Sequence, residues 1–359
     1  MINNRCQQLI KLLEKAGMDS MLITSPVNMR YFSGFTGDSG CLLITAKKKL
    51  LLTDFRYTIQ AKEQTNGLYE IRDFKSSALS LIQQVDSELE SENCRFCGYE
   101  NNTMTVSEFS QYSKMKCRLG MASSFIDEIR CIKSQDEIDK ICKAQEIAET
   151  AFRQLIEQIA PGMTERDAAI ELDYLMKKAG ADEPSFDTIV GSGPNGALCH
   201  AIPSNRKLQN GDLVVIDFGA KYQGYCSDTT RTIAIGEPCD ELKKIYKIVR
   251  AAQMITLKAV KPGISGFQLD SIARECIKEK GYGDCFGHSL GHGFGLNIHE
   301  APSASTKSKD ILRPGMTITV EPGIYIEGLG GVRIEDCVIV TEIGHFNPVT
   351  LTKDLIIIE

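Results

Sequence analysis

The chain repeats itself, and the repeat carries acids at matched places. Ala-Pro161-Gly162-Met-Thr164 reads as the opening of a helix that ends at Lys178-Ala-Gly180. Lys-Pro262-Gly263-Ile-Ser265 reads as the opening of another that ends at Glu279-Lys-Gly281. Pro161 to Pro262 and Gly180 to Gly281 are each 101 positions apart. The strand Val214-Val-Ile-Asp217-Phe-Gly219 matches Ile318-Thr-Val-Glu321-Pro-Gly323, 104 positions on, and a second acid follows each, Asp228 and Glu335. Pro-Gly punctuation alone is common and weak; the matched acids give the repeat its force. They point to a duplicated α+β unit with a pseudo-two-fold axis and acids at equivalent places in both halves.

The rest of the chain is read around that unit. With 359 residues there is room for two domains. The first ~125 residues alternate short apolar strands with helices, the pattern of an α/β layer domain. Strands are expected at Met21–Thr24, Cys41–Thr45, Leu50–Thr53, Tyr69–Phe74 and Phe96–Tyr99, and helices at Ala78–Leu89 and Val106–Lys114. A boundary falls near Ser123–Lys133, giving expected domains 1–125 and 126–359. Ser134 with Glu137 forms a capping box that opens a long helix with the apolar face Ile138, Ile141, Ile147, Phe152, Leu155 and Ile159.

Composition excludes several function classes. A net charge of −6 with both signs interspersed argues against nucleic acid as a partner. Met1 to Met18 mixes Leu9, Ile10, Leu12 and Leu13 with Arg5, Lys11, Glu14 and Lys15, so it reads as an amphipathic helix rather than a secretory signal. The longest apolar runs are too short to span a bilayer, so no membrane partner is expected. Thirteen cysteines, an odd number without a scaffold rhythm, fit reduced thiols in a cytoplasmic protein. Cys94 and Cys97 have redox or zinc spacing, but no second pair follows, and a structural role is the simpler reading.

The chemistry lies in the repeated half. Asp217 interrupts an apolar strand, where an ionised carboxylate needs a partner. Taken alone, a strand-end Asp is more often a turn former or a cap. Asp228 lies across the Gly219–Gly224 turn region, where a hairpin brings both acids to one face, and Glu321 with Glu335 repeats the arrangement. Four carboxylates facing one another cannot all be ionised without cations between them. The chain has five histidines. Three of them, His288, His292 and His299, fall within twelve residues among closely spaced glycines. His345 sits in a turn-like segment and receives no role. Oxygen-rich ligation with one imidazole suits two divalent ions, with Mn2+ favoured by hardness and Co2+ or Zn2+ as alternatives. Such a pair ~4 Å apart serves hydrolysis. Gly191-Ser-Gly-Pro-Asn-Gly196 lacks the Lys-Ser/Thr ending of a phosphate-binding loop.

Together, Val-Ile-Asp217-Phe-Gly, Ser-Asp228-Thr-Thr-Arg231-Thr, Gly-His292-Gly-Phe-Gly-Leu-Asn-Ile-His299-Glu, Val-Glu321-Pro-Gly and Gly-Val-Arg333-Ile-Glu335-Asp resemble the pita-bread metallopeptidases. Within that group they look like the Xaa-Pro peptidases, aminopeptidase P and prolidase. Asn28-Met-Arg-Tyr-Phe-Ser-Gly-Phe-Thr-Gly is similar to the creatinase-type N-terminal domain, so the resemblance covers the whole chain. It implies an α/β creatinase-like N-terminal domain followed by a pita-bread catalytic domain. It also implies that Asp217, Asp228, His292, Glu321 and Glu335 are the metal ligands. Glu321 would double as proton shuttle and His299 would donate to the tetrahedral oxyanion. His200 and His288 would line the pocket on the prolyl side. Arg333, two residues before Glu335, would share its strand face and orient that carboxylate.

The activity implied is cleavage of the Xaa-Pro bond in peptides with proline at the second position. No arginine follows His299 until Arg313, which leans the reading toward aminopeptidase P rather than an Xaa-Pro dipeptidase that clamps a carboxylate. Methionine aminopeptidase would lack the N-terminal domain and the Arg-Ile-Glu-Asp context. Creatinase shares the fold without the ligands. A non-catalytic binding protein of the same fold would have lost ligands, and all five are present. The resemblance further implies a homodimer in which the Gly34–Gly40 loop with Asp38 rims the partner's site; a plain polar turn explains that loop equally well.

Overall fold

The computed structural model describes residues 2–359; Met1, the first residue of the expected opening helix and N-terminal domain, lies outside the described residues. The described residues form two compact units, one ending at Arg130 and the other spanning Cys131–Glu359.

The first unit is built on a six-stranded sheet. Its strand order is Glu70–Asp73, Lys49–Thr53, Cys41–Thr45, Ser20–Ile23, Phe96–Tyr99, Arg118–Met121. Cys41–Thr45 runs antiparallel to both neighbours, and the remaining pairs are parallel. Central strands covered on both faces read as unbroken apolar runs, and all five residues of Cys41–Thr45 are buried. The expected helix at Ala78 begins instead at Leu81, because Ser80 caps it in a reciprocal box with Gln83. The strand around Tyr69 stops at Asp73, whose carboxylate turns to cap the following short helix through the Lys75 N–H. Three helices have no counterpart in the sequence reading: Pro26–Ser33, Thr58–Thr65 and Ser123–Cys131. Each is nine residues or shorter, too brief for a 3.6-residue period to stand out. All thirteen cysteines are free, with Cys97 buried in its strand and Cys94 beside it.

The second unit shows the duplication. Its first copy has the helices Gln135–Ile156 and Glu165–Lys178, and its second Asp240–Ala259 and Gly266–Glu279. Both second helices start in capping boxes, Thr164 with Asp167 and Ser265 with Gln268. Each cap residue also makes an isolated antiparallel bridge, Thr164 to Lys207 and Ser265 to Ile311. The acidic hairpins follow. Leu213–Phe218 pairs with Thr229–Ile235, setting Asp217 opposite Thr230. Thr317–Val320 pairs with Asp336–Val340, setting Val320 opposite Asp336, so that Glu321 and Glu335 flank the end of the ladder. Phe152 of the long helix stacks on Phe218 at 5.0 Å between centroids.

Arg231, 2% exposed, binds the two hairpins and the C-terminal segment together. Its guanidinium donates to the carbonyls of Thr230, Glu335, Leu351 and Thr352 and to Asp336 Oδ1, at 2.6–2.9 Å. Lys353 and Asn347 hold the other oxygen of Asp336. No helix among the described residues is long and apolar enough to cross a membrane.

Candidate metal centre

The two hairpins deliver their acids to one cavity of about 780 Å³ in the second unit, whose wall includes Asp217, Asp228, His292, Glu321 and Glu335. His200, His288, His299 and Arg333 line the same cavity. All nine side chains singled out in the sequence are thus brought together, although the outermost, His200 and Glu335, are 135 positions apart. His345 stands elsewhere, bonded through Nδ1 to the Val260 carbonyl.

Asp228 and Glu335 are buried, while Asp217 and Glu321 reach the cavity with 13% and 16% of their side chains exposed. Ligand-capable oxygens of Asp217, Asp228 and Glu335 lie within 4.8 Å of one another. Burial first, and then the Glu335 charge, hold Asp228 well above the ordinary carboxylate range. Burial and Glu321 do the same to Glu335, and burial and Asp217 push Glu321 up to about 8. Asp217 Oδ1 and Glu335 Oε1 are buried with no hydrogen-bond partner among the described residues. Native proteins rarely leave buried polar atoms so.

His292 completes the set. Its Nδ1 must donate to the Gly293 carbonyl at 3.1 Å, so Nε2 offers a lone pair. That lone pair faces Asp228 Oδ2 at 3.6 Å and Glu321 Oε1 at 3.5 Å, too far for a hydrogen bond and suited to a shared cation. Burial and the neighbouring His299 lower the His292 pKa to about 4, which keeps the ring neutral and ligand-ready. Four acids, one neutral imidazole and two orphaned oxygens fit hard divalent cations.

Arg333 corrects one expectation. The strand Gly330–Arg333 breaks at Ile334-Glu335 before Asp336–Val340 begins, so alternation does not carry across. Arg333 donates through Nη2 to Asp217 Oδ2 at 2.7 Å rather than to Glu335. Glu335 is held instead by Thr230, whose hydroxyl donates at 2.7 Å. Three further groups escaped the sequence reading. Thr319 donates to Glu321 and accepts the His292 N–H. Thr230, besides holding Glu335, accepts from Arg333 Nε. Tyr325 accepts from Arg333 Nη1 and donates to His288 Nε2, both at 2.9 Å. The signal for the threonines was their spacing, two residues from Asp228 and from Glu321; Tyr325 had none.

His288 thereby has both nitrogens engaged, Nδ1–H on the Ser289 carbonyl and Nε2 under Tyr325. Burial and Arg333 lower its pKa to about 4. The ring is thus neutral, with no free polar atom, where it lines the cavity.

A duplicated lobe that converges four acids and a neutral histidine on one cavity defines a pita-bread metallohydrolase. The sequence pattern of metallopeptidase family M24 matches residues 139–342, and that of the creatinase/prolidase N-terminal domain matches residues 5–132. An Xaa-Pro dipeptidase of Pyrococcus furiosus is 41% identical over 347 residues, 96% of this chain and 97% of that protein. The structure of an Xaa-Pro dipeptidase from Bacillus anthracis superposes with a TM-score of 0.96 at 42% identity, covering 99% of this chain and 100% of that one. That of an X-Pro aminopeptidase from Thermotoga maritima MSB8 gives 0.89 at 41%, covering 96% and 99%. The chain belongs to metallopeptidase family M24: it is a metal-dependent peptidase with a creatinase-type N-terminal domain.

Proposed function

We propose that this peptidase is an Xaa-Pro dipeptidase, with Asp217, Asp228, His292, Glu321 and Glu335 as its metal ligands. The observation that carries the reading is the cavity itself, whose wall sets the acid cluster beside the neutral His288 ring and the apolar side chains of Phe186, Ile189 and Ile298. Such a wall suits a pyrrolidine ring. The dipeptidase structure superposes more closely than the X-Pro aminopeptidase structure, with a TM-score of 0.96 against 0.89, which supports the dipeptidase reading over the aminopeptidase P reading drawn from the sequence. The cavity's arginine, Arg333, is committed to Asp217 and Tyr325. A dipeptide carboxylate would then fall to another polar group of the cavity wall, such as His200.

Two divalent cations in this site would supply a Lewis acid and an activated water. Glu321, held by the Thr319 hydroxyl and facing His292, would take the proton released by the attacking water and pass it to the departing prolyl nitrogen, which has no N–H of its own. Partial burial and His200 lower the pKa of His299, so it faces the carbonyl oxygen as a neutral N–H donor. The Arg333 bridge holds the Asp217 carboxylate in place throughout.

The test is hydrolysis of Gly-Pro, Ala-Pro and Ala-Pro-Ala by metal-stripped protein, with and without manganese. Metal-restored cleavage of the dipeptides supports the proposal. Cleavage of the tripeptide alone would return the reading to aminopeptidase P, and no cleavage with any divalent ion would end both.

A further inference from the structure

His200 and His288 stand on the cavity wall, yet neither lies in a helix or strand. The His200 loop has little apolar packing to hold it: Leu198 is 60% and Ile202 86% exposed. Each loop is instead gripped from behind by a buried acid on the second helix of its repeat.

In the first repeat this is Glu165, 0% exposed at the start of Glu165–Lys178. One oxygen accepts from the Ser192 N–H at 2.8 Å and its hydroxyl at 2.7 Å. The other accepts from the Ser204 N–H at 3.1 Å and its hydroxyl at 2.6 Å. Asn195 Nδ2 donates to both at 3.1 Å. Glu165 thus closes both ends of the segment that carries His200. In the second repeat the acid is Asp270, 1% exposed. Asp270 Oδ1 accepts the Leu290 N–H at 3.1 Å, and its carboxylate takes a two-pronged pair from Arg274 at 2.8 and 2.9 Å. Arg274 extends the grip to the carbonyls of Phe286 at 2.7 Å and His288 at 2.9 Å.

By the repeat spacing of 101, Glu165 corresponds to Gly266, and Asp270 stands one helical turn further along the same face. The displacement has a steric cause. A Cβ at Gly266 would lie 2.0 Å from the Ser303 carbonyl oxygen, so no side chain fits there. The acid appears at the next position facing the same way.

We infer that Glu165 and the Asp270–Arg274 pair are positioning residues of the substrate cavity, each fixing from behind the loop that carries one histidine of its wall. The inference rests on the reading of that cavity as the peptide site. None of the three touches the acid cluster, so their loss loosens substrate binding and leaves the metal site standing.

The test combines two readouts on the full chain with manganese. Hydrogen exchange reads the loops directly. Glu165→Gln, whose amide points N–H groups at existing donors, should speed exchange over 193–203 at least about tenfold and leave 286–290 unchanged; Asp270→Asn should do the reverse. In dipeptide kinetics both variants should raise KM about tenfold with kcat within about twofold and manganese binding unaltered, and Glu165→Asp should recover part of the loss. Ser204→Ala, which removes one donor to Glu165, gives the same pattern more weakly if Glu165→Gln does not fold. Exchange that rises in both loops or in neither, or a fall in kcat at unchanged KM, overturns the inference. Failure of the wild-type protein to cleave any Xaa-Pro substrate would overturn the proposed function, and the exchange arm would still decide this one.

Discussion

Asp228, Glu321 and Glu335 titrate high in the metal-free fold because burial disfavours their charged forms. The sign of the consequence is definite. In the unfolded chain these carboxyls titrate near pH ~4; in the folded chain Glu321 does so at about 8. Between those values the native state binds more protons than the unfolded one, so stability present below pH ~4 is lost as pH rises toward about 8. Urea midpoints in chelator should therefore be lower at pH 8 than at pH 5, and saturating manganese should remove most of that slope. A metal-free protein equally stable at both would show that the acids are not held as described. A second prediction concerns Tyr325→Phe, which leaves Arg333 and His288 each short of a partner. It should lower kcat/KM roughly tenfold or more with metal content intact, as hydrogen bonds to charged groups contribute about 1.5–3 kcal/mol. At this scale the sequence was legible where identity and place coincide: an acid in an apolar strand announces itself. Tyr325 was not, because a tyrosine in an apolar hairpin reads as core until its hydroxyl is seen joining Arg333 to the neutral His288 ring. Arg333 was expected to hold Glu335 and holds Asp217 instead, because its partner depended on a strand break that no residue pattern marked.

Among elements, capped helices were legible to within a few residues, because Ser80, Thr105, Thr164 and Ser265 advertise their starts with a partner three positions on. Short helices such as Pro26–Ser33 were not, since their stability comes from tertiary packing rather than period. Strand approaches around the site are equally hidden and equally strict. A Cβ at Gly291 would lie 2.1 Å from the Thr319 carbonyl oxygen, where the His292 strand crosses that of Glu321. Gly291→Ala should destabilise the protein by about 2 kcal/mol or more and reduce bound metal measured by atomic emission. Arg231→Lys tests the hairpin junction. Lysine cannot reach five acceptors and leaves Asp336 and three or four carbonyls under-satisfied. A loss of about 3–5 kcal/mol in urea unfolding is expected; a loss under 1 kcal/mol would mean the junction is held by packing alone.

For the whole molecule, the proposed ligand set links metal and folding, since side chains gathered from residues 217 to 335 do not exist as a site in the unfolded chain. Manganese at about one hundred times its dissociation constant adds about 2.7 kcal/mol. For a unit of this size that corresponds to a rise in Tm of about 5–10 °C. Calorimetry with and without chelator measures it, and an unchanged Tm at saturating metal would contradict the link. Asp217 and Asp228 come from one repeat and Glu321 and Glu335 from the other. The centre is therefore an association site whose two halves share a tether. Untethered, such a pair would meet at a rate set by their concentration and part on dilution. Joined, each half sees the other at a fixed effective concentration. Metal occupancy in this chain should then depend on the free ion alone and stay the same however far the protein is diluted.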